Sequence, residues 1–307
     1  NVPEEDVRVL RGATRQRGRS SAELVLTDEP SGLPRSLIDA LLAADRNNEA
    51  LTQVDRQLSL YPLDRRLWRL AAQAHAQLGH RLLSHRSQAE AASAKALALE
   101  PDLAEAHSAH AMALSLYHRF DEADAAFETA IRLNPKLFEG YYFYARHCFV
   151  QGKLGQAAQL YEEASRVRPE DYQAPLLVAQ IYEDLGLPAE ARAARRKGVK
   201  VAEAHLLLKP DDTRALYMCA NGLVSLGERE RGLDLARRAL AQEPEDPMLL
   251  YNVACVRCLA GDVEGAVDCL EKAVHSGFAQ KEWLQKDSNL DAARSLPRFQ
   301  ALLERWS

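Results

Sequence analysis

The sequence predicts an all-α chain: a solenoid of about seven helix–turn–helix repeats with a C-terminal capping segment. Three observations point there. Alanine and leucine dominate a chain of 307 residues that is 47% apolar, a composition that favours helix over sheet. Pro62, Pro101, Pro135, Pro169, Pro210 and Pro244 each follow a helical-looking run, and the intervals 101–135, 135–169 and 210–244 are each 34 residues. Small residues then fall into columns on that clock. One column is Ala111, Ala145, Ala179, Ala220 and Ala254. A second is Ala123, Ala157, Ala191, Gly232 and Ala266, and a third is Ala130, Ala164, Ala239 and Ala273. A large residue precedes the third column by three: Phe127, Tyr161 and Leu270, with Ala236 the weak member.

Each column has a physical reason. Small residues belong where two helix axes cross closely, because a larger side chain would hold them apart. The large residue fills the neighbouring hole. Proline ends the second helix of each pair, since it cannot donate a backbone hydrogen bond and excludes the α conformation from the residue before it. Acidic residues in "DEA" at 121 and "PAEA" at 188 place negative charge near helix N-termini. One pair cannot bury its own apolar faces, so neighbours must stack.

In chain order, residues 1–33 carry no repeat register and form a lead-in, with a short helix suggested near 4–13. Residues 34–62 are the first repeat and 63–101 a stretched second one. Repeats over 102–135, 136–169, 170–210, 211–244 and 245–278 follow. The 170–210 repeat has 41 residues. Its seven extra are close to two helical turns, so "ARAARRKGVKVAEAHLLLKP" can be one longer helix that keeps its buried stripe on one side. The second repeat has 39 residues from Pro62 to Pro101. Five extra make about 1.4 turns and do not restore the face, which marks 80–100 as a joint. The tail departs from the repeat. Its Trp283, Leu290, Leu296, Phe299 and Leu302 are expected to cover the last open face.

The period, the small–large–small columns and the closing proline resemble the tetratricopeptide repeat (TPR) family. Trp68, Ala71, Ala72 and His75 fall loosely on the family's opening W-x2-L-G-x2-Y slots. The resemblance covers about residues 34–278 and implies fold, not function. Within it, about residues 34–91 resemble the TPR tail of bacterial envelope zinc metalloproteases. The H-E-x-x-H signature of that family is absent, since no His is followed by Glu. About residues 94–305, including "DPMLLYNVACVRCLAGDVEGAVDCLEKAVHSGF", resemble TPR tails behind bacterial serine/threonine kinase or adenylate cyclase domains. The kinase signatures G-x-G-x-x-G, H-R-D and D-F-G are missing. The division implied is a lead-in (1–33), an N-terminal TPR array (34–91), a long junction helix (80–100), a C-terminal TPR array (94–278) and a capping segment (279–307).

Candidate chemistry is sparse. Cys255-Val-Arg-Cys258 is half of a zinc or redox motif with no second pair at ordinary spacing. It is expected to be two small residues on a packed helix. His107 and His110 lack a completing ligand. His75, His80 and His85 recur every five residues, which spreads them about 140° apart on one helix, too far to share an ion. Gly79 is expected to mark the turn, leaving His75 on the first helix of the pair. Arg11, Arg15, Arg17 and Arg19 form a small basic cluster in the lead-in, read as solvated. No cofactor or metal is implied. The net charge of −5 offers no field for nucleic acid. No apolar run approaches the roughly 20 residues of a membrane span. Five scattered cysteines do not make a disulfide framework and suit a reducing, cytoplasmic setting, or a periplasmic one if a signal has been removed.

Function is therefore expected on the concave face, lined by first helices. The TPR resemblance places Arg66, Arg69 and Gln73 there, then Glu105, Ser108 and Met112, then Glu139, Tyr142, Arg146 and Phe149. Further along come Gln173, Leu176 and Gln180, then Arg214, Tyr217 and Asn221, and last Met248, Tyr251 and Cys255. Aromatic and Arg side chains are common binding anchors, so the peptide-binding set is Arg69, Gln73, Tyr142, Arg146, Phe149, Gln180, Tyr217, Asn221 and Tyr251, the alternative for Tyr142 and Tyr251 being that they pack between repeats. The Lys/Asn/Lys/Arg carboxylate clamp of chaperone-binding TPR proteins does not match, because Tyr217 stands where its Lys would precede Asn221. The expectation is a non-catalytic scaffold for a protein or peptide partner, with a homo-oligomer allowed. The alternatives are a rigid fusion of two arrays, natural or engineered, with a structural role, and a regulatory tail detached from a kinase, cyclase or protease.

Overall fold

The computed structural model describes residues 37–39, 41–42, 46–78, 83–278 and 281–304. The lead-in, its arginine cluster, Gly79 and His80 lie outside the described residues. After helical residues at 37–39 and 41–42 come α1 (Asn47–Leu60), α2 (Arg65–Leu78), α3 (Leu83–Leu99), α4 (Ala104–Leu116) and α5 (Phe120–Leu133). Next are α6 (Phe138–Val150), α7 (Leu154–Val167), α8 (Gln173–Asp184), α9 (Pro188–Leu208), α10 (Thr213–Ser225) and α11 (Arg229–Gln242). The chain continues through α12 (Pro247–Leu259), α13 (Val263–His275), α14 (Lys281–Lys286), a 3-10 turn (Ser288–Ala293) and α15 (Pro297–Glu304). Among the described residues there is no strand. The fold is the expected TPR solenoid. From α2 onward the helices pack in consecutive pairs, α2 on α3, α4 on α5, and so on to α12 on α13.

The columns do what close packing requires. Ala111, Ala145, Ala179, Ala220 and Ala254 are wholly buried, as are Ala130, Ala164, Ala239 and Ala273. Phe127 and Leu270 fill the adjoining holes with no exposed surface. Two members of these columns were not legible in the 41-residue repeat. Gly198 stands in the third small column, where an added Cβ would lie 2.6 Å from Leu176 Cγ. Arg195 stands in the large column. It is buried, its aliphatic stem fills the hole, and its guanidinium pairs two-pronged with Glu183 at the end of α8.

The turn between paired helices is a left-handed residue. Gly152, Gly186, Gly227 and Gly261 have φ between +72° and +93°, a region costly for any residue with a Cβ. His118 holds the same place in its repeat at φ +58°.

Both length anomalies resolve. In the 41-residue repeat the seven extra residues all enter the second helix, α9, which has 21 residues against 14 for α5 and α7. Its buried residues Ala191, Arg195, Gly198, Val199, Ala202 and Leu206 keep one face from end to end. The five extra residues of the second repeat are spread out. α2 has 14 residues against 13 for α4, and α3 has 17 against 14 for α5, and residues 79–82 between them lie outside the described residues. α3 packs against both α2 and α4.

The cap buries Leu284, Leu290, Ala293, Phe299 and Leu302 against α12 and α13. Trp283 was expected among these but stays 40% exposed. Its helix turns Leu284 inward, and the indole lies over Tyr251 and Phe278 at the edge. Arg298 clamps the cap from outside through Glu264, Asp268 and Glu271 at 2.7–3.1 Å.

Candidate functional site

Which side is concave follows from packing. α2 touches α4, α4 touches α6, α8 touches α10, and α10 touches α12. Among the described residues no second helix makes comparable contact with the second helix of the next repeat. A stack whose first helices converge and whose second helices splay must curve around the first helices. The trough is therefore lined by α2, α4, α6, α8, α10 and α12.

The centre of the trough is polar and crosses three helices. Tyr142 of α6 is buried, with its ring stacked on Phe138 at 5.3 Å and edge-on to Tyr161 at 5.7 Å. Its hydroxyl donates to Gln173 Oε1 of α8 at 3.1 Å and accepts from Arg214 Nη2 of α10 at 3.5 Å. Tyr142 is thus mainly a packing residue that offers only its oxygen. Arg146, Tyr217 and Asn221 are half-buried on the same helices. Burial holds the Tyr161 phenol well above its ordinary range, opposed by the nearby Arg146 and Arg214 guanidiniums. Gln180 lies 3.4 Å from Asp184 Oδ1 and 3.5 Å from Ser288 Oγ, so the curve brings α8 to the capping segment. At the N-terminal end Arg69 donates to Gln73 Oε1 at 3.4 Å and meets Asp39 at 3.3 Å. Phe149 is exposed at the end of α6.

Tyr251 is placed differently from the rest. It is buried under the chain's own tail, stacked on Phe278 at 4.8 Å. Its hydroxyl donates to Asp287 Oδ2, and the Cys255 thiol donates to the same oxygen at 3.4 Å. Asp287 Oδ1 accepts from the Asn289 N–H at 2.9 Å, and the Asp287 carbonyl accepts from Arg294 at 2.9 Å. A capping carboxylate therefore occupies the inner face of α12. Sequence columns could not reveal this, because the occupant comes from outside the repeat.

Other constellations carry reactive side chains without a reactive arrangement. Ser115 Oγ, His147 and Asp124 form a chain, with His147 Nδ1 2.8 Å from Ser115 Oγ and Nε2 3.0 Å from Asp124 Oδ1. The order is that of a hydrolase triad. However, His147 is 2% exposed, and the N–H groups of Tyr117, His118 and Arg119 just past Ser115 are all bonded to helix carbonyls, leaving no oxyanion donor there. Burial lowers the His147 pKa. The network ties α4, α5 and α6 together. His75 stands on the first helix of its pair, as expected, and His85 on the second, and there they meet with their Nδ1 atoms 2.9 Å apart, which the divergence along a single helix did not anticipate. Among the described residues no three His, Cys, Asp or Glu side chains converge as for a metal ion. All five cysteines are buried. Burial pushes Cys148 and Cys219 up to about 12, which disfavours the nucleophilic thiolate. Cys255 and Cys258 both face the cap.

A tetratricopeptide repeat family model matches residues 117–164 and 149–204. Among solved structures, the fold is similar to a chain of the APC/C hetero-tetramer Cut9–Hcn1, 14% identical with TM-score 0.64, over 92% of this chain and 57% of that one. An IFIT1 monomeric mutant with Gppp-AAAA is 12% identical with TM-score 0.58, over 86% of this chain and 68% of that one. TTC0263, a thermophilic TPR protein in Thermus thermophilus, is 23% identical with TM-score 0.45, over 61% of this chain and 98% of that one. No curated protein matches the sequence. At these identities the likeness shows the fold alone. This chain spans little more than half of the Cut9–Hcn1 chain. No described helix is long and apolar enough to cross a membrane.

Proposed function

We propose that this chain is a non-catalytic scaffold that binds a protein or peptide partner in the trough between α2 and α10. The carrying observation is the polar strip Tyr142–Gln173–Arg214, which joins three first helices, with half-buried Arg146, Tyr217 and Asn221 beside it. Mixed aromatic, amide and guanidinium groups on rigid helices suit recognition of a peptide backbone and side chains. Nucleic acid is not part of this reading. A joint between two repeat arrays around α3 is, and it is consistent with the uneven lengths of α2 and α3.

The test is hydrogen exchange on the full chain with and without peptides selected from a random display library. Protection confined to α6, α8 and α10, and lost in Tyr217→Ala, supports the groove. Protection only on second helices would sink it.

A further inference from the structure

The tail shows what one step of this trough accepts. In the proline frame Tyr251 and Cys255 are the seventh and eleventh residues after Pro244, and together they hold the Asp287 carboxylate. One repeat earlier, the seventh and eleventh residues after Pro210 are Tyr217 and Asn221. They present a phenol and an amide N–H2 at the same two places. The fourth residue after the proline, Met248 in the last repeat, is Arg214 here. The eleventh after Pro135 is Arg146. Tyr217 and Asn221 therefore repeat the carboxylate seat with stronger donors, with the Arg214 guanidinium one turn away on the same helix and the Arg146 guanidinium at the corresponding position two repeats earlier.

The surrounding charge agrees. Three carboxylates on these helices and their turns have partners of their own, and one of them, Asp171, also acts on Arg214. Glu139 bonds Arg168 at 2.9 Å, Asp212 meets His205 at 2.7 Å, and Asp171 caps the Ala174 N–H at 2.7 Å. Arg146 and Arg214 both act on the Tyr161 phenol. A carboxylate arriving from outside would join the contacts these groups make. Arg and amide donors recognise a carboxylate with charge-assisted hydrogen bonds.

We infer that the groove's partner is an acidic segment, which seats an Asp or Glu side chain on Tyr217 and Asn221 next to Arg214, with Arg146 of α6 adding positive charge to the same trough. This rests on the groove reading above and adds the ligand's charge. It differs from a clamp for a chain-terminal carboxylate, because the template is a side chain in mid-segment.

The experiment selects random dodecapeptides on the full chain. The strongest clones are then synthesised with their Asp and Glu residues kept or replaced by Asn and Gln. Binding is read by fluorescence anisotropy at low and high salt. Acidic clones are expected, with affinity falling at least tenfold on Asp/Glu replacement and several-fold at high salt. Arg146→Gln and Arg214→Gln should each weaken binding, Arg214→Lys should weaken it less, and Asn221→Asp should repel the peptide. Thermal unfolding of each variant separates lost binding from lost fold, and Asn221→Asp provides a second arm if an arginine variant is unstable. Groove-bound clones that are neutral or basic, or acidic clones indifferent to all four variants, overturn the acidic partner and leave groove binding standing. A library that yields no clone protecting α6, α8 and α10 removes both.

Discussion

Glu183→Ala and Arg195→Leu break the same ion pair and should have unequal effects. The Arg195 side chain is 7% exposed and that of Glu183 is 43% exposed. Deleting Glu183 leaves a guanidinium in the seam between α8 and α9 with its partner gone. Breaking a fully buried pair costs about 3–5 kcal/mol. Glu183 already touches solvent, so screening brings the expected loss to about 2–3 kcal/mol. Arg195→Leu removes the charge together with its need for a partner. It installs the residue type that fills this column in the last repeat, where Leu270 is wholly buried. That change should stay within about 1 kcal/mol of wild type. Urea unfolding followed by far-UV circular dichroism reads both. With a slope of about 2–3 kcal/mol/M, Glu183→Ala should lower the midpoint by about 1 M and Arg195→Leu by less than about 0.5 M. If Arg195→Leu falls as far as Glu183→Ala, the pair itself stabilises the seam and the stem-filling argument is wrong.

Four further outcomes are expected. Tyr251→Phe keeps the ring stack but removes the hydroxyl that donates to Asp287. It should cost about 1–2 kcal/mol and loosen the cap, read by Trp283 quenching. His118→Gly should raise stability by about 0.5 kcal/mol, the relief of a left-handed non-glycine residue less the edge contact with Phe120 at 5.4 Å; an unchanged melting temperature would count against it. Gly232→Ala should destabilise by about 1–2 kcal/mol despite better helix propensity, because its Cβ would meet Val224 Cγ2 at 2.5 Å and the Ala220 carbonyl at 2.7 Å. Burial and the adjacent His85 hold His75 at about 4, below the ordinary 6.5. Above pH 6.5 both folded and unfolded chains carry it neutral. As pH falls from 6.5 towards 4 the unfolded chain takes up a proton that the folded one refuses, so stability declines over that window and levels below it. With the discount for a half-exposed ring the loss is about 1–2 kcal/mol, and His75→Asn should flatten the slope of melting temperature against pH.

The repeat was legible because its determinants are local and periodic. Prolines set 34 residues apart in three intervals and small residues at the helix crossings state the pairing directly, and a seven-residue excess states that α9 lengthens without turning its face. Arg195 hid because the columns were sought among apolar and small side chains, while its stem does the filling. Tyr251 could not be placed, because its contact with Asp287 spans 36 positions and belongs to no period. The meeting of His75 with His85 was not readable either, because it depends on how α2 packs against α3 and not on spacing along one helix. Tyr142 was readable as a trough position with packing as its alternative, and the sequence did not name the partners, Phe138 and Tyr161, that make it chiefly a packing residue.

The seat of Asp287 also sets a length. With the inner face of α12 taken, five first helices, α2 to α10, border the remaining trough. Axes about 9–10 Å apart make four steps of roughly 40 Å in all. Extended chain advances about 3.3 Å per residue, so a partner lying along the whole trough would use about a dozen residues. Affinity within a ligand series should therefore climb with added residues and then stop near that size, as the trough turns from a surface that accepts any strand into a gauge of how much of one it can hold.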